Sequence, residues 1–194
     1  MGREMTTQLA VQGNSLGADL RALRKARGMT LADLADRLGR SVGWMSQVER
    51  DLSDPSITDL RHIAAALDVP TSLFFGQAPA PAEEAGFVVR SGARRPIGSG
   101  EAGLVEELLS PDLTDDFEVV HSTFEPHSRI GEVVTRPTQE VGYLISGTLD
   151  LVIGGRHFTI HPGDSFRIRG EPFEWINPYD TPAVAIWVIA PPVY

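Results

Sequence analysis

Cysteine is absent from all 194 residues. No disulfide can staple the fold and no thiolate can hold a metal, and such a chain suits a reducing compartment. Long apolar runs are missing too, since nothing approaches the roughly 18 to 20 consecutive apolar residues of a membrane span. The opening MGREMTTQLAVQGNSLG has no apolar stretch of the kind that marks a secretory signal. A soluble, cytoplasmic protein with no membrane partner is expected. No repeat of solenoid length is present.

Positive charge is also short, with 17 Lys and Arg against 26 Asp and Glu and a net charge of −9. Taken alone, that sum argues against a nucleic-acid partner. Its distribution does not. Residues 1–76 hold nine basic and nine acidic side chains, whereas residues 77–194 hold eight basic and 17 acidic, so all the excess lies in the second part. A neutral segment whose arginines share one face remains compatible with DNA.

What is present divides in two. The stretch from Gly76 to Gly86, GQAPAPAEEAG, has the alternating Ala and Pro of a semi-rigid linker. Before it the periodicity is helical. Leu16, Leu20, Leu23 and Arg24 share a face that ends at Gly28. Thr30 opens a second helix with Asp33 at the capping-box position, Gly39 ends it, and Ser41 opens a third. Pro55 and Ser56 open a fourth along Ile57, Leu60, Ile63, Ala64 and Leu67, and a last turn follows Pro70. After the linker, FEVVHSTF, QEVGYLISGTLDLVIGG, RHFTIHPGDSFRI and AVAIWVIA read as short strands. Turns at Ser146 and Gly147 and at Gly154 and Gly155 have hairpin composition. Closely spaced strands without long helices predict a sandwich or small barrel.

The third helix is the informative one. Met45 and Val48 face inward, which leaves Ser41, Val42, Gly43, Trp44, Ser46 and Gln47 outward. A row of small and amide side chains suits a helix that enters a major groove roughly 12 Å wide. Gln47 can read adenine through two hydrogen bonds, and Arg24, Lys25, Arg40 and Arg50 can reach phosphates beside the groove. The strings LRALRKARGMTLADLADRLGRSVGWMSQVER and PSITDLRHIAAALDVP closely resemble the phage-repressor-like, or XRE, helix-turn-helix family. The resemblance implies a five-helix domain whose third helix reads DNA as part of a homodimer on a two-fold symmetric site. By position it implies base readers at Val42, Gly43 and Gln47, and backbone contacts at Thr30, Arg40, Ser46 and Arg50. Family members often have Gly where this chain has Asp51, and Asp tolerates the left-handed conformation.

The second segment resembles the two motifs of the cupin superfamily. The first, His-x-His-x3-Glu-x6-Gly, falls on Val134, Arg136, Glu140 and Gly147. The second falls on Gly155, on Pro162, Gly163 and Asp164, and on Pro172, Phe173 and Asn177. The resemblance implies a double-stranded β-barrel with an internal pocket. The family's three histidine ligands fall on Val134, Arg136 and Phe173, and only Glu140 keeps its type. A divalent metal needs three or four converging N or O donors, so no metal, no other cofactor and no enzymatic role is expected. His121, His127, His157 and His161 match no ligand spacing.

With the old ligand positions inward, Val134, Arg136, Glu140, Phe173 and Trp175 line the pocket, as apolar walls with two polar groups do for a small molecule. Arg136 offers a fork for a carboxylate and Glu140 an acceptor for an amine, or the two pair with each other as a structural clip. The whole reads as a two-domain α + β regulator: residues 1–75 bind double-stranded DNA, 76–86 link, and 87–194 sense an effector such as an amino acid or amine. An antitoxin-like interaction module and a cupin enzyme tethered to DNA are the alternatives.

Overall fold

Side-chain caps start each helix. In the computed structural model, which describes residues 15–75, 81, 83–97 and 103–193, the helices are α1 (Leu16–Ala26), α2 (Leu31–Arg37), α3 (Val42–Val48) and α4 (Ile57–Leu67). Ser15, Thr30, Ser41 and Ser56 each accept from a backbone amide three residues on, satisfying one of the donors a helix start leaves open. Thr30 with Asp33 and Ser56 with Asp59 complete reciprocal capping boxes. Gly28 and Gly39 take left-handed φ of 64° and 61° where α1 and α2 stop.

Among the described residues the helical unit has four α-helices, not the five expected. The segment after Pro70 is a single 3-10 turn, Thr71–Phe74, closed by Leu73 N–H donating to the Pro70 carbonyl at 3.0 Å. The fixed φ of Pro70 and the few residues before the linker leave room for one tight turn only. Of the expected linker, residues 76–80 and 82 lie outside the described residues, as do residues 1–14 of the first domain. Residues 83–87 form a turn, and Glu84 within it pairs with Arg90.

Among the described residues ten strands follow: β1 (Arg95–Ile97), β2 (Leu104–Leu108), β3 (Glu118–Phe124), β4 (Ser128–Arg129), β5 (Gln139–Ser146), β6 (Leu149–Ile153), β7 (Arg156–Ile160), β8 (Ser165–Ile168), β9 (Phe173–Asn177) and β10 (Ala183–Ala190). They form a six-stranded sheet in the order β1-β2-β3-β10-β5-β8 and a four-stranded sheet in the order β4-β9-β6-β7. The sheets face each other across an aromatic core, with Phe124 against Trp175 at 4.9 Å between ring centroids and Phe173 against Trp187 at 6.2 Å. Among the described residues the two ladders share no strand, and the β-rich unit consists of two facing antiparallel sheets.

Gly154 and Gly155, with φ of 56° and 76°, join β6 to β7 in the two-residue hairpin expected. Gly147 does not make a hairpin. It carries the chain out of β5, in one sheet, into β6, in the other. A side chain at 147 would meet the Pro182 carbonyl oxygen at 2.4 Å, so only glycine fits the crossing.

The two units pack on each other. Leu108 and Leu113 of the second share one buried cluster with Leu20, Leu23, Ile63 and Leu73 of the first. Across this apolar contact Arg95 donates to Asp19 at 2.6 Å, and the Leu113 amide donates to the same carboxylate at 3.1 Å.

Candidate nucleic-acid interface and ligand cavity

Met45 and Val48, at 0% and 1% exposure, pin α3 to the helical core. Its opposite face therefore turns to solvent: Ser41, Val42, Gly43 and Gln47 are exposed, and Trp44 and Ser46 are half-buried. The Ser41 hydroxyl is committed as the cap, accepting from Trp44 N–H at 3.1 Å. Trp44 rests partly on the helical core, and the Arg40 guanidinium lies over its ring at 5.1 Å. Arg40 also pairs with Asp59 at 2.5 Å, and both this contact and the Ser56 hydroxyl hold Asp59 below the usual carboxylate pKa, Ser56 more strongly. Arg50 reaches back to the Ser46 carbonyl at 3.0 Å and stays exposed. The Thr30 hydroxyl donates to Asp33 at 2.6 Å.

Arg24 is a correction. Its expected place among the phosphate-facing residues is excluded by burial, with only 9% of the residue exposed. The guanidinium donates to both carboxylate oxygens of Glu49, at 2.5 and 2.9 Å, and to the Met29 carbonyl at 2.7 Å. The i, i+4 pattern that put Arg24 on the apolar face was the informative signal; its charge was not. Asp51 does take the left-handed conformation, at φ 55°.

In the second unit, polar groups converge on a cavity of about 180 Å³. Glu106, Glu118, Val120 and Ile189 line it from the six-stranded sheet, Arg136 and Val193 from the segments before β5 and after β10, and Asp68, Pro70 and Leu73 from the helical unit. Glu118 is 1% exposed: one carboxylate oxygen accepts from Val193 N–H at 3.2 Å and the other has no partner. Burial pushes its pKa up to about 7. Burial likewise raises that of Glu106, against the opposing pull of Arg136 and of the Ser122 hydroxyl at 3.3 Å. Glu140, also 1% exposed, accepts from the Thr138 hydroxyl at 2.6 Å and leaves its second oxygen unpartnered. It lies near enough to raise the pKa of both Glu106 and Glu118 electrostatically.

Of the five residues expected around a pocket, Arg136 alone lines this cavity. Val134 bridges Phe173 through its backbone, with N–H···O distances of 2.9 and 2.8 Å in the two directions. Phe173 and Trp175 are 4% and 2% exposed and belong to the aromatic core, although Arg136 stands over the Phe173 ring at 5.9 Å. Arg136 and Glu140 form no ion pair within 4.0 Å, so the clip between them is not made. Glu106 and Glu118 were missed by sequence reasoning. The strict alternation of EVVHSTF could have found Glu118, because it shares the inward face of Val120, Ser122 and Phe124.

The donor set does not fit the metal of the cupin pattern. One carboxylate stands at the four ligand positions beside a guanidinium and two apolar side chains, and among the described residues no group of three or more His, Asp or Glu is placed to hold a metal ion. His127 instead meets Asp180 at 3.0 Å, and His121 and His161 lie 3.9 and 3.8 Å from Glu107 and Asp164. No helix among the described residues is long and apolar enough to cross a membrane.

Known proteins match both units. A family model described as a helix-turn-helix domain matches residues 15–74, and one described as a cupin domain matches residues 120–189. The HTH-type transcriptional regulator SutR of Escherichia coli (strain K12) is 29% identical over 161 residues, 80% of this chain and 83% of that protein. The immunity repressor protein of Bacillus phage phi105 is 32% identical over 63 residues, 32% of this chain and 44% of that protein. A solved HTH_3 family transcriptional regulator from Vibrio cholerae is 22% identical, with 92% of this chain and 96% of that chain covered and a TM-score of 0.45. The chain thus carries a helix-turn-helix domain followed by a cupin domain, and along most of its length it is similar to an HTH-type transcriptional regulator.

Proposed function

We propose that the chain is a sequence-specific DNA-binding transcription regulator, dimeric on a two-fold site, whose cupin domain takes a small-molecule effector. The reader is residues 1–75, the linker 76–86 and the sensor 87–194. The observation that carries the reading is the exposed face of α3, where Val42, Gly43 and Gln47 stand free while Met45 and Val48 anchor the helix. In this reading Val42, Gly43 and Gln47 contact bases, with Ser41 and Trp44 at the groove edge. Thr30, Arg40, Ser46 and Arg50 contact the backbone. A seven-residue helix spans too few base pairs to specify a site alone, which is why two copies are required.

The effector site in this reading is built around Arg136 and Glu140, with Val134, Phe173 and Trp175 forming the wall behind them. The direct contact of the two units, through Asp19 and Arg95, gives the effector a route to the spacing of the readers.

The test is selection of binding sites from a random DNA pool by the full chain. A symmetric consensus with half-sites about one helical turn apart, or a multiple, is the expected result. Gln47→Ala should relax one position in each half-site, at a cost of about 1–3 kcal/mol per lost contact. Recovery of no consensus, with and without metabolite extract, rejects the reading.

A further inference from the structure

The cavity between Arg136 and the end of α4 holds more negative charge than its one arginine can balance. Glu106 and Glu118 line it, and Glu140 lies behind them within electrostatic reach. Glu118 and Glu140 each bury a carboxylate oxygen with no partner at all. A buried acceptor without a donor is costly.

We propose that this cavity binds a small organic cation, an ammonium on a short apolar stem, held between the Glu106 and Glu118 carboxylates and the end of the fourth helix. The proposal rests on the effector-sensing reading above and fixes the chemical class. An ammonium carries donors and no acceptor, which complements carboxylates that only accept. Val120, Ile189 and Val193 give the stem an apolar wall. A volume of about 180 Å³ suits a short chain. The carboxylates are not gathered closely enough to hold one metal ion among the described residues, so the positive charge belongs on an organic group.

The place of the cavity matters as much as its charge. Asp68 and Leu73 belong to the helical unit, and Glu106, Glu118 and Arg136 to the cupin. A guest therefore touches both units and stabilises the arrangement in which they meet.

Thermal denaturation of the full chain at pH 8 tests this, with n-butylamine, 1,3-diaminopropane, sodium butyrate and magnesium chloride at matched ionic strength. Either amine should raise the melting temperature saturably, and Glu118→Gln or Glu106→Gln should weaken that response by about tenfold or more, the loss of one charge-assisted hydrogen bond. Arg136→Gln should strengthen it, because the guest then competes with no resident cation for the two carboxylates. Stabilisation by butyrate that Arg136→Gln abolishes would make the cavity an anion site, overturning the cation while leaving the sensor reading in place. Stabilisation by magnesium at the same concentrations overturns the organic class. If none of the four moves the melting temperature, the cation fails, and the sensor reading falls with it only if metabolite extract also leaves the DNA affinity unchanged.

Discussion

Asp19 of α1 and Arg95 of β1 meet at 2.6 Å, with side chains only 5% and 8% exposed. They join the DNA-reading unit to the cupin through charges that water does not screen. Burial holds the Asp19 pKa above its ordinary value despite Arg95 and the Leu113 amide, so the pair stands only as a pair. Asp19→Ala should cost about 3–5 kcal/mol by leaving one buried charge uncompensated. Urea denaturation of the full chain measures it. A loss below about 1 kcal/mol, the range of an exposed pair, would mean that the contact does not join the units.

Arg24 and Arg50 should separate cleanly. Arg24→Met removes the partner of buried Glu49 and should lower stability without changing the salt dependence of DNA binding. Arg50→Ala should leave stability within about 0.5 kcal/mol, as exposed positions do, and reduce the slope of log K against log salt by about 1. DNA titrations over a salt series, beside melting curves, report both. An Arg24 variant with a flattened salt slope would return that residue to the phosphate contacts.

The caps explain why the helical half was legible in the sequence. Thr30, Asp33, Ser41 and Ser56 act on amides within three residues, so their roles need no tertiary information. The fifth helix came from the family resemblance alone, whereas the residues after Pro70 read as the turn that is present. In the cupin half, the motif frame located the strands but not the cavity. Glu106 lies on LVEEL, a strand whose pattern does not alternate cleanly, and it comes to line one cavity with Arg136 only because β2 pairs with β3 and the helical unit closes above. Arg24 misled for the opposite reason: a charged side chain on an apolar face has to be paired, and Glu49 is 25 residues away.

Glu118 should make stability fall as pH rises. Its folded-state pKa of about 7 lies above the ordinary 4.5, so the protonated form is favoured by folding. Its contribution is complete below about pH 4.5 and is lost progressively up to about pH 7, a range worth up to roughly 3 kcal/mol. Glu118→Gln should flatten that part of the stability profile and leave the variant more stable than the parent at pH 8. Denaturant midpoints between pH 4 and pH 9 give the comparison. Parallel profiles for the two chains would place the titration elsewhere.

Gly142 should resist the smallest enlargement. On β5 it faces Phe166 of β8, and an added Cβ would fall 2.1 Å from the ring. That ring in turn meets Trp187 edge-on at 4.8 Å, so it has little room to retreat. Gly142→Ala should therefore destabilise by about 1–3 kcal/mol, as overpacking does. Combining it with Phe166→Leu should recover part of the loss. Calorimetry of the two single variants and the double closes the cycle, and additive losses would refute the clash.

Asp51 carries a consequence for how this sequence can vary. Its left-handed backbone at φ 55° would suit glycine better, yet its carboxylate accepts the Gly17 amide at 2.8 Å. A side chain at 17 would in turn strike that carboxylate at 2.8 Å and the Val48 carbonyl oxygen at 2.5 Å. The two positions, 34 apart in the chain, behave as one unit of inheritance. Swapping the start of α1 from a relative with glycine at the position of Asp51 would import half of an agreement, and chimeras of this kind should be joined so that both positions come from the same parent.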